Sequence, residues 1–199
     1  MESTKELFVL FFFFWYFLLH QKDLLNYYSK GFNIDWFIKV AERGYVNAQF
    51  ELGRLYQNGW EVEKSQDKAI YWYLKAIENG SIDACLLLAS LYESGDGLEQ
   101  SYYKAAKLYR LAADKGNDTA IFRLAKFYAL GYGVNESLAE TIKWLDKSTW
   151  KERGLYLIGE VFFIGKEVKQ SYGKAIMWWK MAIEADSSDA KYMLGVCYE

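Results

Sequence analysis

Apolar residues along this chain fall on helical stripes that return at a fixed interval. Five segments carry the same pattern: AQFELGRLY from Ala48, ACLLLASLY from Ala84, AIFRLAKFY from Ala120, GLYLIGEVF from Gly154 and AKYMLGVCY from Ala190. A small residue opens each segment, and an aliphatic follows four residues later: Leu52, Leu88, Leu124, Ile158 and Leu194. A second small residue comes next: Gly53, Ala89, Ala125, Gly159 and Gly195. An aromatic closes the segment at Tyr56, Tyr92, Tyr128, Phe162 and Tyr198. Offsets of four, five and eight lie on one face of a helix, called helix A here. The small positions let a neighbouring helix approach.

A second helix follows each complete helix A. Glycine turns stand at Gly59, Gly95, Gly131 and Gly165, where a helix C-cap needs positive φ. Serines follow at Ser65, Ser101, Ser137 and Ser171, in the place of an N-cap. Glu140, three residues past Ser137, predicts a capping box. Helix B then carries Ala69, Trp72, Tyr73 and Ala76, with counterparts at Ala105, Leu108, Tyr109 and Ala112 and at Ala175, Trp178, Trp179 and Ala182. The third copy is looser, with Thr141, Trp144, Leu145 and Ser148. It is two residues short and lacks the glycine found at Gly44, Gly80 and Gly116, so its link through Trp150–Arg153 is expected to be distorted. Trp36, Phe37 and Val40 extend the register one helix B back.

These residues resemble the Sel-1-like repeat, a relative of the tetratricopeptide repeat, from about Asn33 to Glu199. Glu61 and Glu167 depart from that pattern where it has a second turn glycine. The resemblance implies an all-α fold, a right-handed superhelical solenoid of antiparallel helix pairs with a period of about 36 residues. One such pair cannot bury its apolar stripe alone, so neighbours must stack. Residues 31–199 are expected to form the solenoid, with a partial first unit, four repeats from 48, 84, 120 and 154, and an incomplete one from 190. The last segment, without a helix B, is expected to pack Leu194 and Tyr198 on Trp178, Trp179 and Ala182. Met193, Val196 and Cys197 would then lie on an open edge, where end-to-end self-association or continuation of a longer array would cover them.

Residues 1–30 hold an unbroken apolar run, Leu7–Leu19. A helix of that length spans about 20 Å, short of the hydrocarbon core of about 30 Å. It has the length of a signal-peptide apolar region, although the preceding residues are not basic and no small-x-small cleavage site follows. Membrane attachment or export is favoured over a buried capping helix.

Composition narrows the function. Net charge is −2, with 24 Lys and Arg against 26 Asp and Glu, which argues against a nucleic-acid partner. The absence of proline suits an almost entirely helical chain. The single histidine, His20, and two distant cysteines, Cys85 and Cys197, leave little for acid–base or metal chemistry. Glu61 with Glu63 and Asp186 with Asp189 read as solvated turn residues. Gly95–Gly97 and Gly131–Gly133 follow helices, not strands, and are turns rather than phosphate loops. Trp60 and Trp150, in turns, are expected to be partly exposed. No cofactor and no metal are expected, and the chain is not expected to be an enzyme. A few cysteine-rich members of the resembled family are proposed to bind or hydrolyse β-lactams; the paired cysteines of that group are missing here, which leaves such a hydrolase as the remote alternative.

The resemblance implies that helix A lines a concave groove and that its fourth, seventh and eleventh positions meet a protein or peptide. These are Glu51, Arg54 and Asn58, then Leu87, Ser90 and Ser94, then Arg123, Lys126 and Leu130, then Leu157, Glu160 and Ile164. Arg123 and Lys126 are expected to be exposed and to favour an acidic or extended peptide. The chain is therefore read as an interaction scaffold, with a membrane-tethered or exported adaptor as the alternative.

Overall fold

The computed structural model describes residues 34–197. Among them stand ten helices and no strands: α1 (Ile34–Glu42), α2 (Val46–Asn58), α3 (Gln66–Glu78), α4 (Ile82–Ser94), α5 (Tyr102–Ala113), α6 (Asp118–Leu130), α7 (Leu138–Leu145), α8 (Lys151–Ile164), α9 (Tyr172–Glu184) and α10 (Ser188–Val196). The even-numbered helices are helices A and the odd-numbered ones helices B. Each of α2, α4, α6 and α8 packs on the helix B that follows it, and the pairs stack into a right-handed superhelical solenoid. The apolar run Leu7–Leu19, His20 and Tyr198 lie outside the described residues.

Short polar signals set the helix limits. The hydroxyls of Ser65, Ser101, Ser137 and Ser171 each accept from the backbone N–H three residues on, starting α3, α5, α7 and α9. Ser81, Asn117 and Ser187 do the same for α4, α6 and α10. Gly59, Gly95, Gly131 and Gly165 end the helices A in the left-handed region, at φ of 70° to 75°. One backbone bond then closes every intra-repeat loop: the N–H of Ser65, Ser101, Ser137 and Ser171 donates to the carbonyl of Tyr56, Tyr92, Tyr128 and Phe162 at 2.8–2.9 Å. This bond uses the Ser137 N–H that a capping box would have given to Glu140. The Glu140 carboxylate instead accepts from Lys143 at 2.8 Å, so only half of the expected box forms.

Packing follows from the small positions. A Cβ placed on Gly53 would stand 2.5 Å from the Tyr73 ring, and one on Gly159 would stand 2.5 Å from Trp179. Glycine is thus what lets the helix-B ring press against the helix-A backbone. Leu52, Leu88, Leu124 and Ile158 are fully buried between the helices.

Two details at the last helix differ from expectation. Met193 and Cys197 lie half-buried against the core that holds Trp178, Trp179 and Ala182, while Val196 is exposed. Leu194 is only half-buried, because its counterparts face their own helix B and no described helix follows α10. No described helix is long and apolar enough to cross a membrane.

Candidate partner-binding face

The three rows of helix-A residues expected to meet a partner sit beside the buried stripe, one or two positions away from it. Asn58, Ser90, Ser94 and Ile164 are exposed; Glu51, Arg54, Leu87, Arg123, Leu130, Leu157 and Glu160 are half-buried. Lys126 is the exception and corrects the expectation of exposure. Only 7% of it meets solvent, and its Nζ lies 2.6 Å from Glu167. The turn of the following unit reaches the end of α6, where the Tyr132 hydroxyl donates to the Glu167 carbonyl at 2.8 Å, and the Glu167 carboxylate takes up the lysine's charge.

Most of the remaining charge on this face is also matched internally. Arg54 pairs with Glu51 at 3.3 Å, three residues before it, and its carbonyl accepts from the Asn58 amide at 2.9 Å. Burial pushes the Glu51 carboxyl up, and the Arg54 guanidinium beside it opposes that shift. Arg123 reaches back one unit to Glu93 at 3.2 Å. Glu93 also accepts from the Tyr109 hydroxyl at 2.6 Å, so this carboxylate joins α4, α5 and α6. Burial, then the hydrogen bond to Glu93, raises the Tyr109 hydroxyl and keeps it a donor.

Glu160 differs. It accepts from the Tyr156 hydroxyl at 2.9 Å, and no described cation pairs with it. Burial and this bond push Tyr156 up to about 12, so it too remains a donor at neutral pH. On its own helix Glu160 is flanked by Leu157, three residues before it, and by the 62% exposed Ile164, four residues after, and the same row as Glu160 carries on α10 the 45% exposed Val196.

Sequence reasoning missed Gln57, Glu93 and Gln49. Gln57 accepts from the Tyr73 hydroxyl at 2.5 Å, as Glu93 does from Tyr109. Both follow the closing aromatic directly, and both oppose a helix-B tyrosine, which was the signal available. Gln49 is buried, donating to the Ala41 carbonyl at 3.0 Å and accepting from Asn79 at 2.9 Å.

Elsewhere the chemistry-bearing groups stay in structural settings. Glu61 takes φ 58° in its turn, the conformation of the glycine it replaces, and Asp186 takes φ 73° where other units have glycine. Trp60 and Trp150 are 48% and 44% exposed in their turns. Cys85 is buried and Cys197 half-buried, both as free thiols. Among the described residues no group of three or more His, Cys, Asp or Glu could hold a metal ion.

Comparison with known proteins agrees with this geometry. Two solved structures align over most of the chain. One is a protective antigen of uropathogenic Escherichia coli strains that displays an SLR fold, 28% identical over 83% of this chain, with a TM-score of 0.61. The other is a Sel1 repeat protein from Oxalobacter formigenes, 30% identical over 78% of this chain, with a TM-score of 0.55. The chain spans 36% of the first protein's length and 65% of the second's. No curated protein matches it. The Sel1 repeat model matches residues 46–81, 82–117, 119–149, 153–187 and 188–199, most of the sequence, the first four in step with the helix pairs described above and the last with α10. The chain belongs to the Sel1 repeat family.

Proposed function

We propose that the chain is a scaffold that holds a protein or peptide against the face formed by α2, α4, α6 and α8. Sel1 repeats are protein-interaction repeats and are generally non-enzymatic. One observation carries the reading to this face. From unit to unit the buried stripe keeps its character, whereas the three adjoining rows change from Glu–Arg–Asn to Leu–Ser–Ser, Arg–Lys–Leu and Leu–Glu–Ile. Packing cannot require such variety, and recognition can use it. An acidic ligand is not favoured, because the Arg123 and Lys126 charges are already met by Glu93 and Glu167.

The test is affinity capture with the full chain and two triple variants. Asn58→Arg, Ser90→Arg, Ile164→Arg alters exposed residues on the helix-A face; Tyr71→Arg, Tyr103→Arg, Met177→Arg alters exposed residues on helices B. Partners should be lost from the first variant and kept by the second, with both retaining wild-type helicity. Equal capture by both variants would contradict the proposal.

A membrane-tethered or exported form of the same scaffold is favoured by Leu7–Leu19. Deleting residues 1–20 should then release the chain from the membrane fraction as a folded solenoid. Self-association through α10 is the companion proposal: Tyr192 is 72% exposed, and Gly195 has no atom within 4 Å of where a Cβ would stand.

A further inference from the structure

Resting on the proposed scaffold role, the geometry points to a partner of defined chemistry: an amphipathic segment with one cation among apolar side chains, seated on the C-terminal half of the helix-A face around Glu160. The inference comes from a charge that the fold leaves unmatched. Five charged residues lie in the three rows: Glu51, Arg54, Arg123, Lys126 and Glu160. Four are in ion pairs, Glu51 with Arg54, Arg123 with Glu93, and Lys126 with Glu167. Glu160 has only the neutral Tyr156 hydroxyl. The N-terminal half of the face is therefore electrically closed, and its exposed groups, Asn58, Ser90 and Ser94, are small and polar. The C-terminal half is open in both senses.

There a half-buried carboxylate stands on one face of α8 between Leu157, three residues before it, and Ile164, four residues after, and Ile164 leaves the more surface exposed. Apolar side chains of a partner would remove these residues from water, and doing so would lower the dielectric around Glu160. Covering a carboxylate in that setting without a counter-charge is unfavourable. A lysine or arginine placed opposite supplies the missing charge and rejects partners that bring an acid. The same surface thus attracts one class of segment and excludes another.

Two synthetic probes test this directly. Both are labelled amphipathic peptides of about 14 residues with leucines three and four residues apart. One has a lysine and the other a glutamate at the same position on the apolar face. Fluorescence anisotropy with the full chain should show the lysine peptide binding about tenfold more tightly than the glutamate peptide. Glu160→Gln should remove the preference, and Glu160→Lys should reverse it, with circular dichroism unchanged. A preference unaltered in Glu160→Lys, or binding of neither peptide, overturns the proposal. The Asn58→Arg, Ser90→Arg variant separates this failure from that of the scaffold reading. It should leave the lysine peptide bound as before. If it abolishes binding while Glu160→Lys does not, the helix-A face is the site but the charged C-terminal half is not. If neither variant changes binding, both readings fail.

Discussion

The second and third units, residues 82–117 and 119–149, hold the same fold with different parts. In the second, α5 runs 12 residues and turns through Gly116 at φ 79°. In the third, α7 runs 8 residues and no glycine follows. A cluster replaces it: the Asp118 carboxylate accepts from the Ser148 hydroxyl at 2.5 Å, the Thr149 hydroxyl at 2.6 Å and the Thr149 N–H at 3.0 Å. In the second unit Tyr109 is tied to Glu93. In the third, Leu145 and Ala129 occupy those positions, and both are buried. In the second, Lys104 stands over the Tyr92 ring at 5.0 Å; in the third, Glu140 takes the lysine's position and Arg110 of the preceding unit covers Tyr128 at 5.8 Å. Each change is answered by a change nearby, in the residue it touches or in the residue that takes over the contact. The repeat therefore preserves complementarity at each contact, and identity only where backbone geometry demands it.

The largest effect is expected where space, not chemistry, is fixed. Gly53→Leu or Gly159→Leu drives a side chain into the Tyr73 or Trp179 ring and should cost about 3 kcal/mol in denaturant unfolding. Gly195→Leu, at the same position of α10, should cost almost nothing because its slot is open. A comparable loss at Gly195 would show that α10 is already covered.

Next comes the charge that the third unit buries. Lys126→Glu should destabilise by about 2 kcal/mol, since it sets two carboxylates against each other under the 165–168 turn. Arg123→Glu, on a 41% exposed side chain, should cost less than about 1 kcal/mol. Similar losses for the two would mean that the turn does not enclose Lys126.

A third and more modest loss sharpens the comparison between units. Glu93→Ala leaves the Tyr109 hydroxyl without its acceptor and should cost about 1–2 kcal/mol. Adding Tyr109→Phe, which makes the second unit apolar here as the third already is, should recover part of that loss. A strictly additive double variant would refute the idea that the two positions answer one another.

The sequence made the helices legible because their limits are written in residues with one strong reason for being there. Serines at Ser65, Ser101, Ser137 and Ser171 can cap, and glycines at Gly59, Gly95, Gly131 and Gly165 can turn left-handed. The buried stripe was legible from its period. What was not legible depends on distances between units. Lys126 reads as exposed from its place on α6 but is buried, and its charge is met by Glu167, forty-one residues on. Glu93 lies outside the three rows, yet it decides how much of the Arg123 charge a partner can meet. Asp118 looks like an ordinary first-turn acid until Ser148 and Thr149 arrive across the missing glycine.

The most direct test of the scaffold role is photocrosslinking from single positions on the full chain, with benzoyl-phenylalanine placed at Ser90, Ile164, Tyr71 or Tyr103. All four sites are exposed, so the probes should leave the fold intact. Adducts with a bound partner are expected from Ser90 and Ile164 on the helix-A face and not from Tyr71 or Tyr103 on helices B. Adducts formed only from Tyr71 and Tyr103 would place the partner on the opposite face and contradict the account.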